Sequence, residues 1–389
     1  MVKMRNHILI VASLLAGCGG GAGSPPLAPE HTLAQARHVR HHSVGLGNML
    51  TAKGQQIFGF DIDRNGNDGM LATATNVETF DQDTGAITKT FPKTLPPGTS
   101  YSADGIAAGD VGLITRYVQP QGKLFAIRHY NVMNPVTKNR FTGKWTPPIK
   151  DIDVYFFGPN QDTSTTAVFA IELKKQDRPI VFSSDVANNT FGKVIKLDPN
   201  LFSLGDGPQF GQDSATNQAV IATSPDGGRV GGNAPINVLI DLQTGKQKEW
   251  NGFNNGPFGA GYVNGLAVDS TTGIAATTTE LNAQVEFYNL SNETGTYTQL
   301  PCTGNASQLN SGSGISSDPI NGLFLVTETY YCSGSQGSAI VVYDESGNFV
   351  EAITGFSFPI GPSGPAINPS KRMGWAIGPR LNQLQQFYY

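Results

Sequence analysis

Residues 61–69 read Asp-Ile-Asp-Arg-Asn-Gly-Asn-Asp-Gly, which places oxygen side chains at Asp61, Asp63 and Asn65 ahead of Gly66. A hard cation such as Ca²⁺ takes about six to eight oxygens, and a glycine lets the chain bend round it. Asp61, Asp63 and Asn65 are therefore candidate Ca²⁺ ligands. The same residues suit a hairpin in which each Asx side chain bonds the backbone just ahead of it. Either way, a tight turn separates two strands.

Other candidate chemistry is sparse. His38, His41 and His42 cluster in Arg37-His-Val-Arg-His-His-Ser43. They suit a metal or a polar, partly solvated domain edge. His129 is the one histidine in the body of the chain, within Ile127-Arg-His-Tyr130. Nucleophilic hydrolysis needs a base beside its Ser or Cys, and His129 reads as a structural residue of a third strand. Asp104 and Asp110 are carboxylates of the kind that flank a substrate. No G-x-x-x-x-G-K-[ST] loop supports phosphate binding. A formal net charge of -4, with no basic stripe interleaved with aromatics, argues against nucleic acid.

The chain opens with basic Lys3 and Arg5, then a short apolar run from Ile8 to Leu15, then Ala16-Gly17-Cys18. The run is too short to span a membrane as a mature helix and reads as a signal peptide. Gly19 to about Gln35 is mostly Gly, Ser, Pro and Ala, a tether. The expected organisation is a signal peptide over 1–17, a tether over 18–37 and a folded domain over 38–389. Leu15-Ala-Gly-Cys18 resembles the lipobox of bacterial lipoproteins. That resemblance implies a lipid on Cys18 and, with Gly19 following it, sorting to the outer membrane in a Gram-negative cell. Two further cysteines remain, Cys302 and Cys332, and an exported chain usually pairs them.

The elements that position these residues are strands. With 47 Gly, 24 Pro and 14% charged residues, the composition suits an all-β, turn-rich protein. Apolar runs alternate with Asn-Gly, Asp-Gly and Thr-Gly turns at a period of about 50 residues, the range of propeller blades. Seven repeats are counted, six with four strands and the last with three. In the fourth, the run from Ala219 is expected to stop at a hairpin over Ser224-Pro-Asp-Gly-Gly228 and restart at Arg229. Residues near Ser43 to Leu50 are placed to supply the missing outer strand of the last repeat. The expected fold is an all-β, seven-bladed propeller of four-stranded antiparallel blades, closed by an N-terminal strand.

Ser224-Pro-Asp-Gly-Gly-Arg-Val230 and Ile240-Asp-Leu-Gln-Thr-Gly-Lys246 resemble the YVTN-type bacterial propeller repeat. The 61–69 stretch is similar to the start of an EF-hand, and more so to the Ca²⁺ hairpins of integrin-type propellers. Ala72 replaces the closing Glu of the EF-hand, and Gly69 replaces an Asp of the integrin type. Val263-Asn-Gly-Leu-Ala-Val-Asp269 resembles the Asn-Gly-Leu segment of gluconolactonase-like propellers, which implies Asn264 as a ligand of a central metal. That family's Asp-Gly segment follows the Asn, whereas Asp104-Gly105 precedes it here.

In a propeller, the loops holding Cys302 and Cys332 emerge on one face. A bridge would close a loop of about 30 residues and contribute about 3 kcal/mol. The same face holds Phe253, Phe258, Tyr262, Tyr330 and Tyr331. Such rings either form an adaptable binding surface or pack on one another over the channel mouth. The expected function is a lipid-anchored envelope module that binds a protein or glycan. The alternative is a metal-dependent hydrolase or lactonase at the central channel.

Overall fold

The computed structural model describes residues 44–389 except 53–55, 74, 93–98, 108–110, 119–125, 135–138, 144–151, 160–165, 174–175, 186–189, 199–208, 223–236, 251–262, 280–283, 300–311, 329–336, 361–363 and 379–381. The described residues hold strands and turns and no helix, so none is long and apolar enough to cross a membrane.

The described strands fall into seven antiparallel sheets. Sheet one is β2 (Ile57–Ile62), β3 (Asp68–Thr73), β4 (Asn76–Asp81) and β5 (Ile87–Pro92). Sheet two is β6 (Thr99–Ala107), β7 (Val111–Val118), β8 (Ala126–Asn134) and β9 (Asn139–Gly143). Sheet three is β10 (Ile152–Pro159), β11 (Thr166–Leu173) and β12 (Gln176–Asp185), with β13 (Thr190–Phe191) and β14 (Ile195–Lys196) both beside β12. Sheet four is β15 (Gln209–Asp213), β16 (Gln218–Ala222), β17 (Asn237–Asp241) and β18 (Gln247–Trp250). Sheet five is β19 (Val263–Asp269), β20 (Ile274–Thr279), β21 (Gln284–Asn289) and β22 (Thr294–Gln299). Sheet six is β23 (Gly312–Asp318), β24 (Leu323–Glu328), β25 (Ala339–Asp344) and β26 (Phe349–Ile353). Sheet seven is β27 (Ala366–Asn368), β28 (Met373–Ile377) and β29 (Gln383–Tyr388), with β1 (Gly45–Thr51) antiparallel to β29.

Each leading strand packs on the leading strand of the next sheet, from β2 through β6, β10, β15, β19 and β23 to β27, and β27 packs on β2. Inner strands are therefore covered on both faces, and the two-residue period of a strand sorts their side chains between two neighbours. Phe324, Val326, Val341 and Tyr343 of sheet six pack with Ala276, Val285 and Phe287 of sheet five. Leu323, Leu325, Ile340 and Val342 pack with Ile367, Ala376 and Phe387 of sheet seven. Outer strands lack that cover, and Tyr297 of β22 and Phe349 of β26 are exposed.

The fourth repeat differs from expectation by one strand. The hairpin is Ser214–Asn217, between β15 and β16, so the Ala219 run is the second strand. Asp213 makes this turn without Gly or Pro. Its Oδ1 accepts the Ala215 N–H, its Oδ2 accepts the Thr216 hydroxyl, and Asn217 takes the left-handed conformation at φ 56°. Strand β15 looks unlike a strand because Phe210 is its one large apolar residue. Gly211 is needed where Val268 approaches: a Cβ there would lie 2.7 Å from Val268 Cγ2. Ser224–Gly228 lies outside the described residues. Sheet three departs from four strands because its last segment is split into two short strands.

Candidate functional site

Antiparallel order sends alternate links to opposite ends of each sheet. At one end lie the turns joining first to second and third to fourth strands. Among the described residues, the turns after β4, β15, β17, β19, β21, β23, β25 and β27 share one construction. A side-chain oxygen at the end of a strand accepts N–H groups two or three residues on, and a left-handed residue closes the turn. Asp241 Oδ1 accepts from Gln243 and Thr244 N–H, with Gly245 at φ 82°. Asp269 Oδ1 accepts from Thr271 N–H, with Gly273 at φ 68°. Asp318 Oδ1 accepts from Ile320 and Asn321 N–H, with Gly322 at φ 66°. These Asx turns satisfy their own backbone groups locally.

This end is also bonded between sheets. Gln82 Nε2 donates to the Asp63 and Asp68 carbonyls of sheet one. From sheet seven, Asn368 Nδ2 donates to Gln82 Oε1, and Trp375 Nε1 and Gln386 Nε2 donate to the Gln82 carbonyl. Further round, Tyr389 Oη donates to Asp318 Oδ2 while the Arg372 guanidinium lies 5.5 Å from the centre of the Tyr389 ring. Burial pushes the Asp318 carboxyl up, and hydrogen bonds from Asn321 and Tyr389 oppose it. The arrangement ties sheet six to sheet seven.

The candidate Ca²⁺ loop lies at this end. Asp63 is buried, and its Oδ1 accepts the Asn65 N–H at 2.9 Å. Asp61 Oδ1 accepts the Ile62 N–H at 2.8 Å. Gly66 is required because a Cβ there would lie 2.3 Å from Asp63 Oδ2, and its carbonyl accepts from Asn368 Nδ2. Among the described residues, no group of three or more His, Cys, Asp or Glu side chains is placed to hold a metal ion.

The strand ends joined by second-to-third and sheet-to-sheet links lie at the opposite end, and links 223–236, 251–262, 300–311 and 329–336 are outside the described residues. Phe253, Phe258, Tyr262, Tyr330, Tyr331, Cys302 and Cys332 all belong to these links and lie outside the described residues, as do Cys18, the His38–His42 cluster and Asp110. Asp104 is on β6, Asn264 is on β19, and their strands are not neighbours in the ring. His129 is on β8, the third strand of its sheet.

Sequence reading missed one polar group. Gln284 and Glu286 stand two apart on β21, with Thr277 directly across from Glu286 on β20. All three are buried, and Gln284 Oε1 and Nε2, Glu286 Oε2 and Thr277 Oγ1 make no hydrogen bond. Burial pushes the Glu286 carboxyl up to about 8. At neutral pH it is a hydrogen-bond donor rather than a base. A Gln and a Glu alternating with Val285 and Phe287 were the available signal.

No protein-family model and no curated protein matches the chain. Solved structures do, and 1057 chains match, so likeness of fold selects no single function. One is the crystal structure of RRP9 WD40 repeats, with a TM-score of 0.58 at 12% identity, covering 88% of this chain and 96% of that one. The fold is a β-propeller.

Proposed function

We propose that the chain is a lipid-anchored β-propeller of the bacterial outer membrane that binds an envelope protein or glycan through its long-link end. In this reading the seven sheets are seven blades, with β1 as the closing strand. The pairing of β1 with β29 and the packing of β27 on β2 support it.

The observation that carries the functional reading is the inequality of the two ends. One end is consumed by Asx turns that bond themselves and their neighbours. In the sequence, the links that join strand ends at the other are longer and carry Phe253, Phe258, Tyr262, Tyr330 and Tyr331. Aromatics with Asn and Gly supply adaptable contact area, while the propeller supplies a rigid mount and does not choose the ligand.

Two experiments test this. Replacing Phe253, Phe258, Tyr262, Tyr330 and Tyr331 by Ala is expected to abolish cross-links to envelope partners in intact cells; unchanged cross-links would reject that face. Cys18→Ser is expected to release the protein from the membrane fraction, and retention there would reject the lipid anchor.

A further inference from the structure

Sheet five buries polar side chains where its neighbours bury apolar ones. Glu286, three residues before the Asn289 that ends β21, stands directly across from Thr277 of β20. Three residues before Asp241 in sheet four the matching pair is Val238 and Ile221, and three before Asp344 in sheet six it is Val341 and Val326. All four of those side chains are buried. The blade therefore closes well with apolar residues here, and the polar pair of sheet five is an addition to it. Gln284 joins that pair, because alternate residues of a strand share a face. Val285, Phe287 and Ala276 pack with sheet six, whereas Tyr288 and Ala275 pack with Val220 and Leu239 of sheet four. Gln284, Glu286 and Thr277 thus all face sheet four.

Gln284 and Thr277 are fully buried and Glu286 is 4% exposed. Gln284 Oε1 and Nε2, Glu286 Oε2 and Thr277 Oγ1 are enclosed and bond to no other side chain or backbone group. Four such atoms on one face are costly, and they call for a partner that both donates and accepts. We propose that Thr277, Gln284 and Glu286 form an internal water site between sheets four and five. A buried water makes about three hydrogen bonds to polar groups of this kind. Cross-strand partners have Cβ atoms about 4.5–5.5 Å apart, and positions two apart on a strand are separated by about 6.5 Å. From there the three side chains meet through ordered water. Glu286 and Gln284 Nε2 donate to it, and it donates to Thr277 Oγ1 and Gln284 Oε1. Burial pushes the Glu286 carboxyl up to about 8 and keeps it neutral at neutral pH, so these side chains carry no charge for an ion to balance.

Two measurements on the full chain test this. Thr277→Val keeps the shape of the side chain and takes away the hydroxyl. With water in the site, the variant gives up a hydrogen bond, and its Tm at pH 6 is expected to fall by about 1–2 °C. Without water, the variant removes an unbonded buried oxygen, and its Tm rises. A crystal structure that resolves ordered solvent is expected to show water within hydrogen-bonding distance of Thr277 Oγ1, Gln284 and Glu286. A raised or unchanged Tm would overturn the site. So would a crystal structure with no water between these side chains, whether Gln284 then bonds Glu286 or Thr277 directly or the four atoms stay unbonded.

Discussion

The Tyr389 hydroxyl donates to Asp318 Oδ2 over 3.0 Å, joining residues 71 positions apart on neighbouring sheets. Both side chains are buried, and Asn321 Nδ2 donates to the same oxygen at 2.7 Å. Tyr389→Phe keeps the ring under Arg372 and removes one hydrogen from a buried carboxyl. A hydrogen bond of this kind contributes about 1–3 kcal/mol. Urea unfolding is therefore expected to show a loss in that range, with the m-value unchanged. A loss below about 0.5 kcal/mol would mean that the hydroxyl does not join sheets six and seven.

Glu286 makes the stability of the chain depend on pH in a direction set by burial. Its carboxyl lies at about 8 in the folded chain against 4.5 ordinarily. Between those values the folded state holds the extra proton, so stability falls as pH rises, by up to about 1.4 kcal/mol per pH unit. Glu286→Gln keeps the shape and cannot ionise. The variant is expected to match the parent at pH 5 and to melt several degrees higher at pH 9. Parallel Tm profiles would show that Glu286 is solvated.

The turn between β21 and β22 carries a residue ill-suited to its conformation. Glu293 sits at φ 60°, where the equivalent residues Gly85 and Gly245 sit at φ 71° and 82°. A left-handed non-glycine residue costs about 1–2 kcal/mol. Glu293 pairs with Lys248, but both side chains are exposed, and such a pair contributes about 0–1 kcal/mol. Glu293→Gly is expected to raise stability by about 0.5–1 kcal/mol, seen as a Tm higher by about 1–3 °C. A lower Tm would mean that the Lys248 pair outweighs the backbone strain.

These turns also explain what the sequence made legible. Where the closing residue is Gly, as in Asp81-Gln-Asp-Thr-Gly85 or Asp318-Pro-Ile-Asn-Gly322, the turn shows in the sequence as a Thr-Gly or Asn-Gly step between two apolar runs. Where it is Asn217, the hairpin was missed, and the prominent Ser-Pro-Asp-Gly-Gly segment drew the turn instead. The physical determinant is the Asx oxygen four residues before the left-handed position, not the glycine. The Glu286 carboxyl was legible only as a Glu two places from Gln284. Its raised value comes from burial beneath other strands, which no local spacing records.

Asp61, Asp63 and Asn65 illustrate the converse, a local pattern with two meanings. One oxygen of each carboxyl is engaged in the turn, Asp63 Oδ1 with the Asn65 N–H and Asp61 Oδ1 with the Ile62 N–H, and the Asp63 carbonyl accepts from Gln82. Ca²⁺ would have to gather further oxygens to reach its usual coordination, and among the described residues no group of three or more His, Cys, Asp or Glu side chains is placed to hold a metal ion. The loop is therefore expected to behave as a structural hairpin. Millimolar Ca²⁺ should leave the Tm of the full chain unchanged to within about 1 °C, and EDTA should not lower it. Asp63→Asn, which keeps the acceptor for Asn65, should be tolerated, whereas Asp63→Ala should cost about 1–3 kcal/mol through the lost acceptor. A reversible Ca²⁺-dependent rise in Tm, absent in Asp63→Asn, would restore the ion-binding reading, because a ligand that binds only the folded state must raise the midpoint.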